Sequence, residues 1–443
     1  MIGTRRVTRA GLLASLLVVL TACGGTQHNA PAGADAPTVD TPRLAPLPPV
    51  ALDPDAIDDP LRVQHAERFS LERVALGAND AVVLSVRPPW QAPGVLRYLL
   101  VSRDHAPETR ALDTQAFDTA PLDLAALRES GDYDAVIEVP VERLATTSTT
   151  ELGHLVSLEL AERWIAHSEP RYVSSPALRR RVDAGAVVNV GAGAGRIEPE
   201  SLLAARPEVL LADFMSRDQL DALVPARAAG LHVVLVPAFL EPTPLGRAEW
   251  VKVLGALGGR SDQAAAVFAG VEGAYETLRQ RVAEAVAAPA GADGPARPKA
   301  LTGGPYDDVW HVPGGVSYPA RLLADAGADY PWRDAPTERA LPLDVERVLE
   351  RAGDSALWLW PSHWRSRREI VAADPRLAAF AALRDGAVWS ADRRVNGHGG
   401  NDFWEGGAAR PDLVLADLVR IVHPELMPER ALVFHRRLDD PLP

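Results

Sequence analysis

Residues 187–236 read VVNVGAGAGRIEPESLLAARPEVLLADFMSRDQLDALVPARAAGLHVVLV. Three short apolar runs rich in valine and leucine, at 187–190, 209–212 and 232–236, predict strands. Between the first two, 199–205 predicts a helix that opens with Pro199 in its first turn, where the missing N–H costs nothing. Strands alternating with helices imply a largely parallel sheet with helices packed on its faces. The run Gly191-Ala-Gly-Ala-Gly195 after the first strand invites a dinucleotide-binding reading. It fails, because Arg196 stands where G-x-G-x-x-G needs its third glycine, and Pro199 falls early in the next helix.

The same alternation extends both ways. Upstream, 82–86, 97–102 and 135–139 predict strands. Residues 151–167 predict one helix with Leu152, Leu155, Val156, Leu160 and Trp164 on one face, preceded by the capping box Ser148-x-x-Glu151. Downstream, 245–257 predicts a helix and 261–288 another, the second about 42 Å long at 1.5 Å per residue. A Pro/Gly/Ala loop follows at 289–298. Alternation then resumes with strand 300–302, helices 318–326 and 343–352, strand 356–360, helix 376–383, strand 387–390 and helix 411–422. No internal repeat aligns residue by residue. The expected fold is α/β: two Rossmann-like lobes, each around a mostly parallel sheet, joined by one long backbone helix. The expected boundaries are 61–243 for the first lobe, 244–288 for the helical segment and 289–443 for the second lobe.

The first 60 residues read differently. Arg5, Arg6 and Arg9 precede an apolar run at 11–20, and Leu20-Thr21-Ala22 leads into Cys23. A charged segment, a short apolar run and small residues before a cleavage point make a signal peptide over 1–22, since the run is too short to span a membrane. Cys23 is the single cysteine of 443 residues. After Leu-x-Ala it looks like a bacterial lipobox, in which the cysteine is lipidated and becomes the mature N-terminus. Gly24, rather than an aspartate, leaves either membrane open as the anchor's home. Residues 24–60, rich in Pro, Ala, Asp and Gly, are expected to be a disordered tether reaching on the order of 100 Å.

Composition bounds the rest. Apolar residues make up 47% of the chain, enough for large cores, and the formal net charge is −13. Cleavage would remove three arginines and no acid, leaving the remainder more acidic still. That argues against nucleic acid, or an anionic bilayer, as partner of the whole surface. Without cysteines in the body, stability rests on core size. No G-x-S-x-G, H-E-x-x-H or Walker motif occurs, so nothing points to an enzyme or a resident cofactor.

Several segments, in order, carry a family resemblance. Residues 187–191 (VVNVG) followed by 200–208 (ESLLAARPE) are similar to "VG…NLEALLALKPD". Residues 248–252 (AEWVK) resemble the "EWIK" entry to a backbone helix, and 310–318 (WHVPGGVSY) with 322–330 resemble "WYVPGGNSY…LLKDAGAD". Residues 401–405 (NDFWE) and 410–417 (RPDLVLAD) are similar to the closing segment of one branch. The chain thereby resembles the class III, or helical-backbone, substrate-binding proteins of ABC importers for iron–siderophore complexes and cobalamin. The resemblance implies a monomeric lipoprotein on the extracytoplasmic side that captures a ferric siderophore or similar chelate in an interlobe cleft. It would deliver that chelate to a permease and its ATPase, with the long helix limiting closure to a small hinge motion. Alternatives are cobalamin or haem as ligand, or a surface lipoprotein that kept the fold without transport.

Seven of the ten tryptophans lie after residue 300. Trp358 and Trp360 alternate within a strand and are expected in the core. Trp310, Trp364 and Trp404 are expected in Gly-, Pro- or charge-rich loops and are cleft candidates, because large rigid aromatics can stack on a flat or greasy chelate. Arg365, Arg367 and Arg368 beside Trp364, and Arg393 and Arg394 before Asn396, offer planar forks for carboxylate or catecholate oxygens. Trp90, Tyr172, Tyr318 and Asn401 complete the candidate cleft. A rival set of His311, His363, His398 and Asp402 could hold a bare transition metal, though no helical spacing joins them. The family's docking acids would be Glu200 on the first lobe and, at the second, Asp325, since the best-matching position is Ala324.

Overall fold

A computed structural model of the chain describes residues 44–52, 58–76, 79–90, 94–103, 123–193, 195–287, 297–440 and 442. The signal peptide, Cys23, the chain to residue 43 and the loop up to 296 lie outside the described residues. The chain divides into two compact units, one of Thr41–Leu278 with Arg394–Val414, the other of Arg279–Arg393 with Leu415–Pro443. Segment 394–414 thus clusters with the first unit, whereas the sequence reading put it in the second lobe.

The first unit holds two sheets. Strands β1 (Phe69–Leu76), β2 (Asn79–Val86), β3 (Leu96–Ser102) and β4 (Ala135–Val139) form the first, in that order. β1, β2 and β3 run antiparallel, and only β3 and β4 are parallel. The expectation of a parallel arrangement does not extend to these strands. The second sheet has the order β7-β6-β5-β8-β9, from β5 (Leu144–Thr146), β6 (Trp164–His167), β7 (Val188–Asn189), β8 (Val209–Ala212) and β9 (His232–Leu235). Every pair in it is parallel. Leu144, Trp164, Ala166 and all of β8 are buried, the unbroken apolar character of strands covered on both faces.

Two carboxylates fix the chain's entry into this unit. Glu249 accepts the backbone N–H of Gln64, His65 and Ala66 at 2.7–2.9 Å, and Glu241 accepts those of Glu67 and Arg68 at 2.8 and 2.9 Å. Glu249 also pairs with buried Lys252, and the Trp250 indole donates to Glu241 at 3.1 Å. Residues 44–52 are not tether either. Arg394 donates to the Ala45 carbonyl at 2.6 Å and Arg410 to that of Pro48 at 2.5 Å.

The second unit contains β10 (Ala300–Thr302), β14 (Leu357–Leu359), β15 (Val388–Ser390) and β16 (Arg436–Arg437) in one sheet, the first three parallel and the last antiparallel. β11 (Pro305–Tyr306), β12 (Val309–Val312) and β13 (Leu341–Leu343) form a separate antiparallel sheet. Its core includes Ala300, Leu301, Trp310, Trp358, Leu359 and Phe380. Helix Ser261–Val286 runs from one unit into the other.

Candidate ligand-binding site

Along the five-stranded sheet the chain steps outward from β5 through β6 to β7, then resumes on the other side of β5 with β8 and β9. The topological switch point therefore lies between β5 and β8, and in open α/β sheets the crevice at the carboxyl ends beside such a point is where ligands bind. Here the loops after β5 and β8 are stitched together. The Thr147 N–H donates to the Leu211 carbonyl at 3.0 Å. The Asp213 N–H donates to Thr147 Oγ1 at 2.9 Å, and that hydroxyl donates in turn to Asp213 Oδ1. Thr147, Ser148, Thr149 and Thr150 are all half-buried, a run of hydroxyls at the mouth of the crevice. Glu151, just behind them, is buried and accepts from Thr150 Oγ1 at 3.0 Å. Burial, and secondarily the charge of Asp213, push the Glu151 carboxyl well above its ordinary range. Burial also raises Asp213. This mouth is built from hydroxyls and acids held toward their protonated forms, groups that can donate as well as accept hydrogen bonds.

Residues 396–405 are tied onto the loop after β6. The Asn396 amide donates to the carbonyls of Arg171 and Val173 at 3.0 and 2.9 Å, and its oxygen accepts from His398 and Gly400 N–H at 2.9 and 2.8 Å. Gly400 lies so close that a Cβ there would sit 1.9 Å from the Tyr172 carbonyl oxygen. Buried Glu405 accepts the N–H groups of Ser174 and Ser175 at 2.6 and 2.8 Å. Burial first, and then the charge of Asp402, push its carboxyl up to about 8. Asp402 is itself paired with Arg394 at 2.5 Å.

In the second unit the carboxyl ends of β10, β14 and β15 carry aromatic and basic residues. Trp364 covers Gly304, where a Cβ would lie 2.6 Å from the indole, and the His363 ring lies tilted against Trp364 with centroids 5.4 Å apart. Trp360, the residue after β14, has φ +53° and is half-buried. Its indole N–H donates to His435 Nε2 at 2.9 Å. Arg365, beyond β14, and Arg393, beyond β15, are exposed. Arg365 engages Glu369 through its backbone N–H, and neither guanidinium is in a salt bridge among the described residues. By contrast Arg367 spends its side chain on the carbonyls of Leu383, Arg384 and Asp440.

The family model described as periplasmic binding protein matches residues 144–395, from the first residue of β5 to five residues past β15. The chain belongs to the periplasmic binding protein family. It is 24% identical to an uncharacterized lipoprotein of Methanocaldococcus jannaschii over 326 residues, 71% of this chain and 73% of that one. A second uncharacterized lipoprotein of that organism is 24% identical over 307 residues, covering 66% of this chain and 72% of its own. Among solved structures, a periplasmic heme binding protein from Pseudomonas aeruginosa aligns with a TM-score of 0.50 and 18% identity, covering 68% of this chain and 99% of that one. That likeness establishes the fold, the two-lobed α/β architecture of class III binding proteins.

Within this periplasmic binding protein, the residues expected at the cleft separate into several kinds. Trp310 is a core residue: it is fully buried, donates to the Thr302 carbonyl at 2.9 Å and packs against Trp358 and Phe380. Trp364 is buried as well. Trp404 is not in a loop but on helix Asp402–Ala409, half-buried and edge-on to Phe403. Asn396 has its whole amide occupied by backbone, and Asn401 caps that helix by accepting from Phe403 N–H. Tyr172 lies half-buried at the loop after β6, with Arg171 stacked over its ring at 4.7 Å. Trp90 and Tyr318 are half-buried, the first just beyond β2 and the second opening helix Tyr318–Asp325.

The rival metal set of His311, His363, His398 and Asp402 is not brought together among the described residues. No group of three or more His, Cys, Asp or Glu side chains converges there, and Asp402 is taken by Arg394. Sequence reasoning passed over Asp213, Glu405 and the position of Trp360. Asp213 carries no local motif, Glu405 lies in the quoted NDFWE segment but had no role assigned to it, and Trp360 was hidden by its strand-like alternation with Trp358.

Proposed function

We propose that this chain is a lipid-anchored binding protein on the extracytoplasmic side of a membrane that captures an anionic ferric chelate and passes it to an ABC permease and its ATPase. Membership of a binding-protein family gives the class of function, and the two lipoprotein relatives support a Cys23 anchor. The observation that carries the ligand's charge is the pair of exposed guanidiniums, Arg365 and Arg393, on the loops after two neighbouring parallel strands. In a chain of net charge −13, cations placed at a binding end of a sheet select for carboxylate or catecholate oxygens.

Calorimetric titration with a ferric tris-catecholate, a ferric trihydroxamate, cobalamin and haemin tests the reading. A ferric chelate should bind most tightly. Arg365→Ala and Arg393→Ala should each weaken an anionic one by about 1.5–3 kcal/mol, the worth of a charge-assisted hydrogen bond. Unchanged affinity in both variants, or preference for cobalamin, would sink the anionic-chelate reading. The anchor has its own test. Cys23→Ser should abolish incorporation of a palmitate analogue and release the protein from membranes.

A further inference from the structure

Trp358 and Trp360 start from the same position in the sequence logic, two residues apart on one apolar run, and end in different places. Trp358 lies within β14, fully buried, with its indole N–H on the Gly303 carbonyl at 2.8 Å. A continued strand would put Trp360 on the same face. Instead the backbone turns left-handed at Trp360, φ +53°, and again at Ser362, φ +57°. A bulky side chain in this region is an outlier that persists only where its surroundings impose it. The Trp360 N–H is held by the Trp389 carbonyl of neighbouring β15 at 2.8 Å, and its own carbonyl accepts from Ser362 N–H at 2.6 Å.

The ring is fixed by buried polar groups. His435 and Asp417 are both fully buried. Asp417 accepts the N–H groups of Val433, Phe434 and His435 at 2.7–3.1 Å and faces His435 Nδ1 at 3.0 Å. With Nδ1–H given to the carboxylate, Nε2 is left as an acceptor, and the Trp360 indole donates to it. The indole is thus oriented by a carboxylate–imidazole pair while the residue stays only half-buried at the carboxyl end of β14, with Arg365 and Arg393 on the loops after β14 and β15.

We infer that Trp360 is a preset stacking platform for the flat conjugated face of an anionic metal chelate, and that His435 and Asp417 are the residues that position it. This rests on the anionic-chelate reading above and narrows it to chelates with an aromatic or macrocyclic face. Such a face could belong to a catecholate or to a tetrapyrrole, whereas a trihydroxamate has none.

Four full-length variants test it by titration with a ferric tris-catecholate, haemin and a ferric trihydroxamate. Trp360→Gly suits the left-handed backbone and removes the ring. It should weaken the tris-catecholate or haemin roughly tenfold, as expected for losing one aromatic stacking partner, and whichever is weakened names the source. Trp360→Phe should retain more of that affinity. His435→Gln, which keeps an acceptor opposite the indole N–H, should recover most of what His435→Ala loses. Should Trp360→Gly fail to fold, Trp360→Leu fills the space without a π face and carries the same expectation. Wild-type affinity for every probe in the ring-less variants, or binding of the trihydroxamate alone by the wild type, would overturn the platform and leave the function standing. No binding of any probe by the wild type would overturn both.

Discussion

At the scale of single residues, the sheet crevice and its supports depend on carboxyl groups placed out of water. Glu405 is the clearest: its pKa is pushed up to about 8 from an ordinary 4.5, chiefly by burial. The folded chain therefore keeps a proton on Glu405 over an interval where the unfolded chain has lost it, and stability falls as pH rises from about 4.5 through 8. His154 and His167 act the opposite way. Burial lowers both to about 4 from 6.5, so stability lost at acid pH returns as pH climbs toward 6.5. Between pH 6.5 and 8 only the acid effect remains from these three groups. At one proton it amounts to roughly 1.4 kcal/mol per pH unit, on the order of 2 kcal/mol across the window. Urea denaturation of the wild type should show a decline there, and Glu405→Gln should flatten it. Parallel pH profiles for the two proteins would mean that Glu405 does not carry the proton.

At the scale of elements, the sequence was most legible where local rules were undisturbed. The runs that became β8 and β10, and the helices Pro199–Ala205 and Pro411–Val422, came out with the expected limits. It failed where a residue other than glycine turned left-handed. The apolar spacing over 151–167 fits one helix, yet helix Leu152–Ser157 is followed by Glu159 at φ +57°, and Trp164–His167 is a strand. The same kind of turn at Trp360 misled the reading of that tryptophan. The site's supports were illegible for another reason, because Glu405 meets Ser174 across 231 residues and Glu249 meets His65 across 184. No window along the chain contains both partners. The turn at Glu159 is testable. Its side chain is exposed, and glycine would relieve the left-handed strain, so Glu159→Gly should raise stability by about 1 kcal/mol. A lower denaturation midpoint would show that the glutamate side chain contributes more than its backbone costs.

At the scale of the whole molecule, binding and handover should be separable. Glu200 is exposed in the first turn of helix Pro199–Ala205, at the position the family resemblance gives to a permease-docking acid. At the other candidate position Ala324 is exposed and Asp325 is half-buried. Reversing a charge at a complementary interface places like charges together, which costs more than losing an attraction. Glu200→Arg should therefore bind the chelate with wild-type affinity yet fail to stimulate ATP hydrolysis by the importer in reconstituted membranes. Full stimulation would remove Glu200 from the docking surface without touching the fold.

The seam that receives the N-terminal chain has a mechanical consequence. Under the Cys23 anchoring proposed above, a pull on the chain enters the described residues at 45–48. There it meets Arg394 and Arg410, each gripping a backbone carbonyl and each backed by an aspartate, Asp402 and Asp412. Behind them the five N–H groups held by Glu249 and Glu241 form a second catch. Asp402, the ion-pair partner of Arg394, also belongs to the segment tied to the loop after β6. A pull entering at residues 45–48 would thus be delivered to the segment beside the loop after β6 before it reaches the sheet beneath.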